Sequence, residues 1–148
     1  MYKGEETKGL DFYNLLFESE EFTAELGKVS LAAGKLEAEL ILFLKKNGVI
    51  ENLQKATLGS LIYKAKEKNL FDKNIVACLE MVCRQRNYIT HNIYALFIDL
   101  LDETILEKNN LIDTDLITYI ERAWQLKENL NEITTVIQKR ATTHNSSL

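Results

Sequence analysis

The chain has 148 residues, the length of one ordinary domain, and its composition of 46% hydrophobic and 27% charged residues excludes a disordered chain. A net charge of −4 at pH 7 argues against bulk electrostatic binding of long nucleic acid, although it permits a local basic site. The apolar runs, such as residues 40–44, are far too short to span a bilayer, so the sequence predicts no membrane segment.

The polar start of the chain and its cysteine content bear on its location. Residues 1–9 lack the apolar stretch of a secretory signal. Cys78 and Cys83 lie five positions apart, which matches neither a zinc site nor a disulfide framework. We therefore expect a protein of the reducing cytoplasm, with no metal and no other cofactor.

The residue pattern predicts an all-α fold. The sequence contains no proline, its last glycine is Gly59, and strict alternation of apolar and polar residues is absent. We predict a single domain, a four- to five-helix bundle over residues 11–141, with a flexible N-terminus at residues 1–10 and a flexible tail at residues 142–148.

The first half of the bundle begins with a predicted short turn at residues 11–17 and a helix over residues 21–46. The core positions of this helix recur every three or four residues. They are Phe22, Leu26, Val29, Ala33, Leu36, Leu40 and Phe43. The helix also carries a stripe of small residues, Gly27, Ser30 and Gly34, which we expect to pack inside the bundle rather than against a second copy of the chain.

Three further helices are predicted after this point. One covers residues 58–68 with Thr57 as its N-cap, and the next begins at Asp72, another N-cap, and runs toward Asp99. After a loop, the last helix covers residues 113–141 and has the regular three-four spacing of a long bundle helix. Its core positions are Leu116, Tyr119, Ala123, Leu126, Leu130, Ile133 and Ile137.

Groups that could carry chemistry are concentrated in residues 83–94, which hold two of the four arginines and one of the two histidines. On a helix of about 100° per residue, Arg84, Asn87, His91 and Tyr94 fall on one face, beside the core stripe. Arginine offers a permanent forked charge to phosphate oxygens, and histidine accepts or donates a proton near neutral pH. This pair suits attack of a ribose 2′-hydroxyl on the neighbouring phosphodiester, a reaction that needs no metal.

The segment RNYITH at residues 86–91 resembles the R-N-x-x-x-H form of the Arg-x(4–6)-His motif of HEPN domains (higher eukaryotes and prokaryotes nucleotide-binding). The resemblance covers this motif, its place in the second half of a helical chain, and the long helix after it. It implies a metal-independent endoribonuclease acting on RNA, and for many members a toxin of toxin–antitoxin or phage-defence systems. It further implies a homodimer in which both Arg–His sets line one composite cleft, and in a toxin–antitoxin setting a cognate antitoxin.

The resemblance assigns roles to individual residues. His91 would be the general acid and base, and Arg86 would stabilise the phosphate, preferred because Asn87 follows it as is typical of the family. Arg84 stays open as the motif arginine, since six residues separate it from His91 and it shares the His91 face, whereas Arg86 lies about 140° away. Arg84 and Asn87 are expected to support RNA binding, and Tyr94 to line the cleft. Some toxin members carry a modified tyrosine two residues after the histidine, but Tyr94 is three residues after it.

Two other hypotheses compete with the ribonuclease. The chain could be a non-catalytic helical module that binds a nucleotide or a protein through the same arginines and histidine. It could also be an antitoxin-like structural dimer in which Asn87 and His91 only fix the register of the two copies. The spacing of arginine and histidine alone does not decide between them, because it also arises by chance.

Overall fold

The computed structural model describes residues 9–91, 93 and 114–146. This part of the chain contains five helices and no strand, which confirms the all-α prediction. The helices are α1 (Gly9–Glu18), α2 (Glu20–Lys46), α3 (Leu58–Glu67), α4 (Lys73–His91) and α5 (Thr114–Ser146). The predicted loop before the last helix lies outside the described residues, as do residues 1–8.

The first helix, α1, corrects the prediction of a short turn at residues 11–17. Phe12 and Leu16 lie one turn apart and are both buried, so they form an apolar face that holds ten residues in helical conformation. The ring of Phe12 packs against that of Tyr119 on α5, with 5.5 Å between the centroids. Tertiary packing therefore stabilises a helix that is too short to be stable alone.

The helix starts follow the predicted capping residues. The Thr57 hydroxyl accepts the Ser60 N–H at 3.2 Å at the start of α3. The Asp72 carboxylate accepts the Ile75 N–H at 3.0 Å at the start of α4. Each side chain satisfies a backbone donor that the first helical turn leaves without an intrahelical partner, which is why the helices begin there.

The last helix, α5, is longer than predicted. It continues to Ser146, five residues past the predicted end at Ala141, so most of the predicted flexible tail is helical. No glycine or proline occurs at residues 141–146 to stop the helix. The third predicted helix corresponds to α4, which covers Lys73–His91, and Ile93 lies in a 3₁₀ turn.

The contacts divide the chain into two compact units, and each takes part of α2, α4 and α5. In the described residues, the first unit comprises α1, α2 as far as Val29, the end of α4 from Gln85 together with Ile93, and α5 as far as Lys127. Its core contains Phe12, Leu16, Phe22, Val29, Ile89, Ile93, Tyr119, Ala123 and Leu126. The carboxylate of Glu25 on α2 and the ammonium of Lys127 on α5 form an ion pair at 3.1 Å in this unit.

The second unit holds α3 and the remaining parts of α2, α4 and α5. Its largest fully buried side chains are aliphatic: Leu36, Leu40, Leu44, Leu53, Leu58, Leu61, Leu79, Val82, Leu130 and Ile137. The rings of Phe43 and Phe71 stack at 4.7 Å, and the Gln138 amide donates to Glu39 at 2.9 Å. The predicted core residues of α2 and α5 are buried, except that Leu26 and Leu116 are half-buried.

The small-residue stripe of α2 corrects a second prediction. Gly27, Ser30 and Gly34 are all exposed, and apart from the adjacent residues and the backbone of α2 itself, no described atom lies within 4 Å of a Cβ built at either glycine. The stripe therefore does not serve close helix packing within the described chain. The alternative, that the stripe packs against a second copy of the chain, stays a hypothesis.

The N-cap of α4, Asp72, makes the stability of the chain change with pH in the acid range. The hydrogen bond from the Ile75 N–H, followed by the Arg140 guanidinium at 3.0 Å, holds the pKa of Asp72 below its usual range. Because the folded chain releases this proton more readily, the carboxylate contributes stability above the unfolded pKa of about 3.9. That contribution is lost as the pH falls through the lower, folded pKa.

We therefore expect Asp72→Asn to lower the free energy of unfolding at neutral pH, because asparagine keeps the cap but lacks the charge that Arg140 pairs with. The difference from the wild-type chain should shrink as the pH falls below the unfolded pKa of about 3.9 and then through the lower, folded pKa. Urea unfolding of both proteins across this range measures it. A difference that stays constant down to acid pH would contradict the role of the charge.

Candidate functional site

The helix α4 presents most of the predicted site residues on one side. Arg84, Asn87 and His91 are exposed, and their positions on a continuous helix place them within about 60° of one another around its axis. Arg86 lies about 140° from His91 on the same helix. It is half-buried, and its Nε atom is shielded from solvent. Tyr94 lies outside the described residues.

His91 lies on the wall of an open cleft of about 230 Å³ in the first unit. We call it the His91 cleft. Its described lining residues come from α1, the start of α2, the end of α4 and the turn after it: Tyr13, Leu16, Phe17, Phe22, Thr23, Leu26, Ile89, Thr90, His91 and Ile93. The imidazole is therefore open to solvent and borders a largely apolar space.

The cleft follows from how α1 buries its residues. Phe12 and Leu16 face the core. The residue that follows each of them is less buried: Tyr13 is half-buried and Phe17 is 84% exposed. Ile89 is buried two residues before the end of α4 and also lines the cleft. The aromatic residues of this wall were missed from the sequence. The paired i,i+4 spacings of Phe12 with Leu16 and Tyr13 with Phe17 are the signal that could have found them.

Two threonine hydroxyls at the cleft have a defined hydrogen-bond role. Thr90 donates to the Arg86 carbonyl at 2.9 Å, and Thr23 donates to the Ser19 carbonyl at 2.9 Å. Since each hydroxyl has one proton to donate, both oxygens can act toward a ligand only as acceptors while these bonds hold. The two threonine oxygens are thus acceptors, and the Tyr13 hydroxyl and the imidazole are the other polar groups among the described lining residues.

Neither arginine is among the described lining residues of the cleft. Arg84 shares the helix face of His91, whereas Arg86 lies about 140° around the helix and needs its long side chain to reach the same ligand. The preference for Arg86 rests on the motif and stays a prediction. Arg84 and Arg86 precede His91 on α4 by seven and five residues, so both positions are within two helical turns of it along the helix.

Two kinds of feature are absent from the described part of the chain. No group of three or more His, Cys, Asp or Glu side chains there is arranged to hold a metal ion. None of the helices described there combines the length and apolar character needed to cross a membrane.

Comparison with known proteins finds no matching family model, no matching curated protein and no matching solved structure. What the chain does must therefore be inferred from its own residues. The residues that bear most directly on function are those of the basic segment of α4, residues 84–91, and those that line the His91 cleft.

Proposed function

We propose that this chain is a metal-independent endoribonuclease of the HEPN type. The observation that carries the proposal is the position of His91: its imidazole is exposed on the wall of an open cleft, with Arg84 and Arg86 on the same helix. A histidine buried inside the core could not have met a polymeric substrate. Exposure beside a concave surface is what a general acid and base needs.

The reaction can be written with these groups alone. An imidazole takes the proton of a ribose 2′-hydroxyl as its oxygen bonds to the adjacent phosphorus, and the bond from phosphorus to the 5′-oxygen breaks. A proton donated to that 5′-oxygen completes the step and leaves a 2′,3′-cyclic phosphate and a 5′-hydroxyl. Arg86, supported by Arg84 and Asn87, would stabilise the charge that grows on the phosphate oxygens.

A homodimer would supply two such histidines to one composite cleft, one as proton acceptor and one as donor. Pairing would also concentrate four arginines of α4 in one place, which explains how a chain with net charge −4 could hold RNA. The corresponding biological role is a toxin or phage-defence effector, restrained in the first case by an antitoxin.

A non-catalytic binding module is the second candidate, and the largely apolar lining of the His91 cleft favours it. The two candidates differ in one assay, in which purified protein is incubated with single-stranded RNA and an excess of EDTA. We expect cleavage to continue, because proton transfer and charge stabilisation come from side chains. Cleavage that EDTA abolishes would contradict the metal-independent mechanism, and intact RNA without EDTA would favour the binding module.

A further inference from the structure

The His91 cleft has an aromatic wall that the proton-transfer chemistry does not use. Tyr13, Phe17 and Phe22 line it, and the Phe17 side chain is 84% exposed although it borders a concave surface. An exposed phenyl ring gains nothing for folding. A contiguous apolar wall at a concave surface favours a binding site.

The size of the cleft limits what it could hold. Its volume of about 230 Å³ is below the range of about 300–1,000 Å³ found for sites of drug-sized ligands. An apolar cavity of about 150 Å³ accepts a benzene molecule. The cleft therefore suits one flat ring system of one or two rings.

The two threonine oxygens of the cleft suit a ring that carries N–H donors. The Thr23 and Thr90 oxygens act as acceptors, since their protons are directed to helix carbonyls. None of the described lining residues is acidic, and Arg84 and Arg86 lie on the helix that ends at the cleft. A ligand that combines an aromatic ring, N–H groups and a negative charge fits all three features.

We propose that the His91 cleft binds one nucleobase of single-stranded RNA, stacked on Phe17, beside the phosphodiester that His91 acts on. This subsite rests on the proposed function for its substrate, and it adds how an unpaired strand is selected. A base inside a duplex is stacked on its neighbours and cannot enter the cleft. Stacking on an aromatic ring accepts any base, so the cleft selects single strands rather than a sequence.

Affinity for an uncleavable strand tests the subsite separately from cleavage. The probe is a labelled 2′-O-methyl oligonucleotide, which lacks the attacking hydroxyl, and its binding is measured by fluorescence anisotropy. We expect Phe17→Ala to weaken binding about 5- to 100-fold, the loss of one stacked base. Phe17→Tyr should bind like the wild type because the ring remains. Leu31→Ala, which removes another exposed apolar side chain outside the cleft, should also bind like the wild type.

An abasic oligonucleotide of the same length should bind the wild-type and Phe17→Ala chains equally. Unchanged binding of the 2′-O-methyl strand by Phe17→Ala overturns the subsite, whether or not the protein cleaves RNA. Phe17-dependent binding by a protein that cleaves nothing supports the subsite and contradicts the proposed function. If Phe17→Ala instead converts a dimer to monomers in light scattering, the cleft holds a side chain of the second copy and the subsite is overturned.

Discussion

Replacing His91 with alanine is expected to lower the rate of RNA cleavage by about 10²- to 10⁴-fold, the usual contribution of a general acid or base. The imidazole is exposed at the cleft, so its removal takes away proton transfer and leaves the core of the chain intact. The measurement is the rate at which each purified protein cleaves a single-stranded RNA. Circular dichroism checks that the variant and the wild type have the same helical content.

His144, the only other histidine of the chain, provides the matched control. His144→Ala removes the same chemical group from α5 and should cleave RNA at the wild-type rate. Equal losses in both variants would indicate a general effect on the protein. A His91→Ala chain that cleaves as fast as the wild type would remove His91 from the mechanism.

Replacing Leu40 with alanine is expected to have the largest effect on stability. Leu40 is fully buried in the core of the second unit, and α2 cannot shift to fill the space that its side chain leaves. The loss of apolar burial together with the cavity should lower the free energy of unfolding by about 2–5 kcal/mol. Urea unfolding at neutral pH gives this difference directly.

Leu42 offers the matched control on the same helix, since its side chain is 54% exposed. Leu42→Ala should change the free energy of unfolding by no more than about 0.5 kcal/mol. If the two variants are destabilised equally, α2 buries a different face from the one described. That result would also undermine the position of the cleft at the start of α2.

Long helices could be predicted from the sequence because their apolar residues repeat with one period over many turns. The stripe from Tyr119 to Ile137 on α5 and the capping residues Thr57 and Asp72 are local signals, and all of them hold in the structure. Ten residues of α1 carry too few turns for such a period, and their helix depends on a contact with Tyr119, more than 100 positions away.

The candidate site also has a part that local sequence predicts and a part that only tertiary packing determines. His91 could be singled out because residue type and motif lie within one segment of the chain. Its surroundings could not, because Tyr13 and Phe17 meet it only through tertiary packing. The small residues at Gly27 and Gly34 have no close helix packed on them in the described part of the chain, for a related reason. Small residues leave room for a close approach, but they do not indicate which surface approaches.

The central claim is that the basic segment of α4 cleaves RNA through a 2′-hydroxyl, and analysis of the product ends tests it most directly. Wild-type and His91→Ala proteins are each incubated with one single-stranded RNA in EDTA, and the termini of the fragments are determined. We predict 2′,3′-cyclic phosphate and 5′-hydroxyl ends from the wild-type protein, and a yield of fragments from the variant that is lower by about 100-fold or more. Intact RNA from both proteins, or equal yields of fragments from both, would contradict the claim.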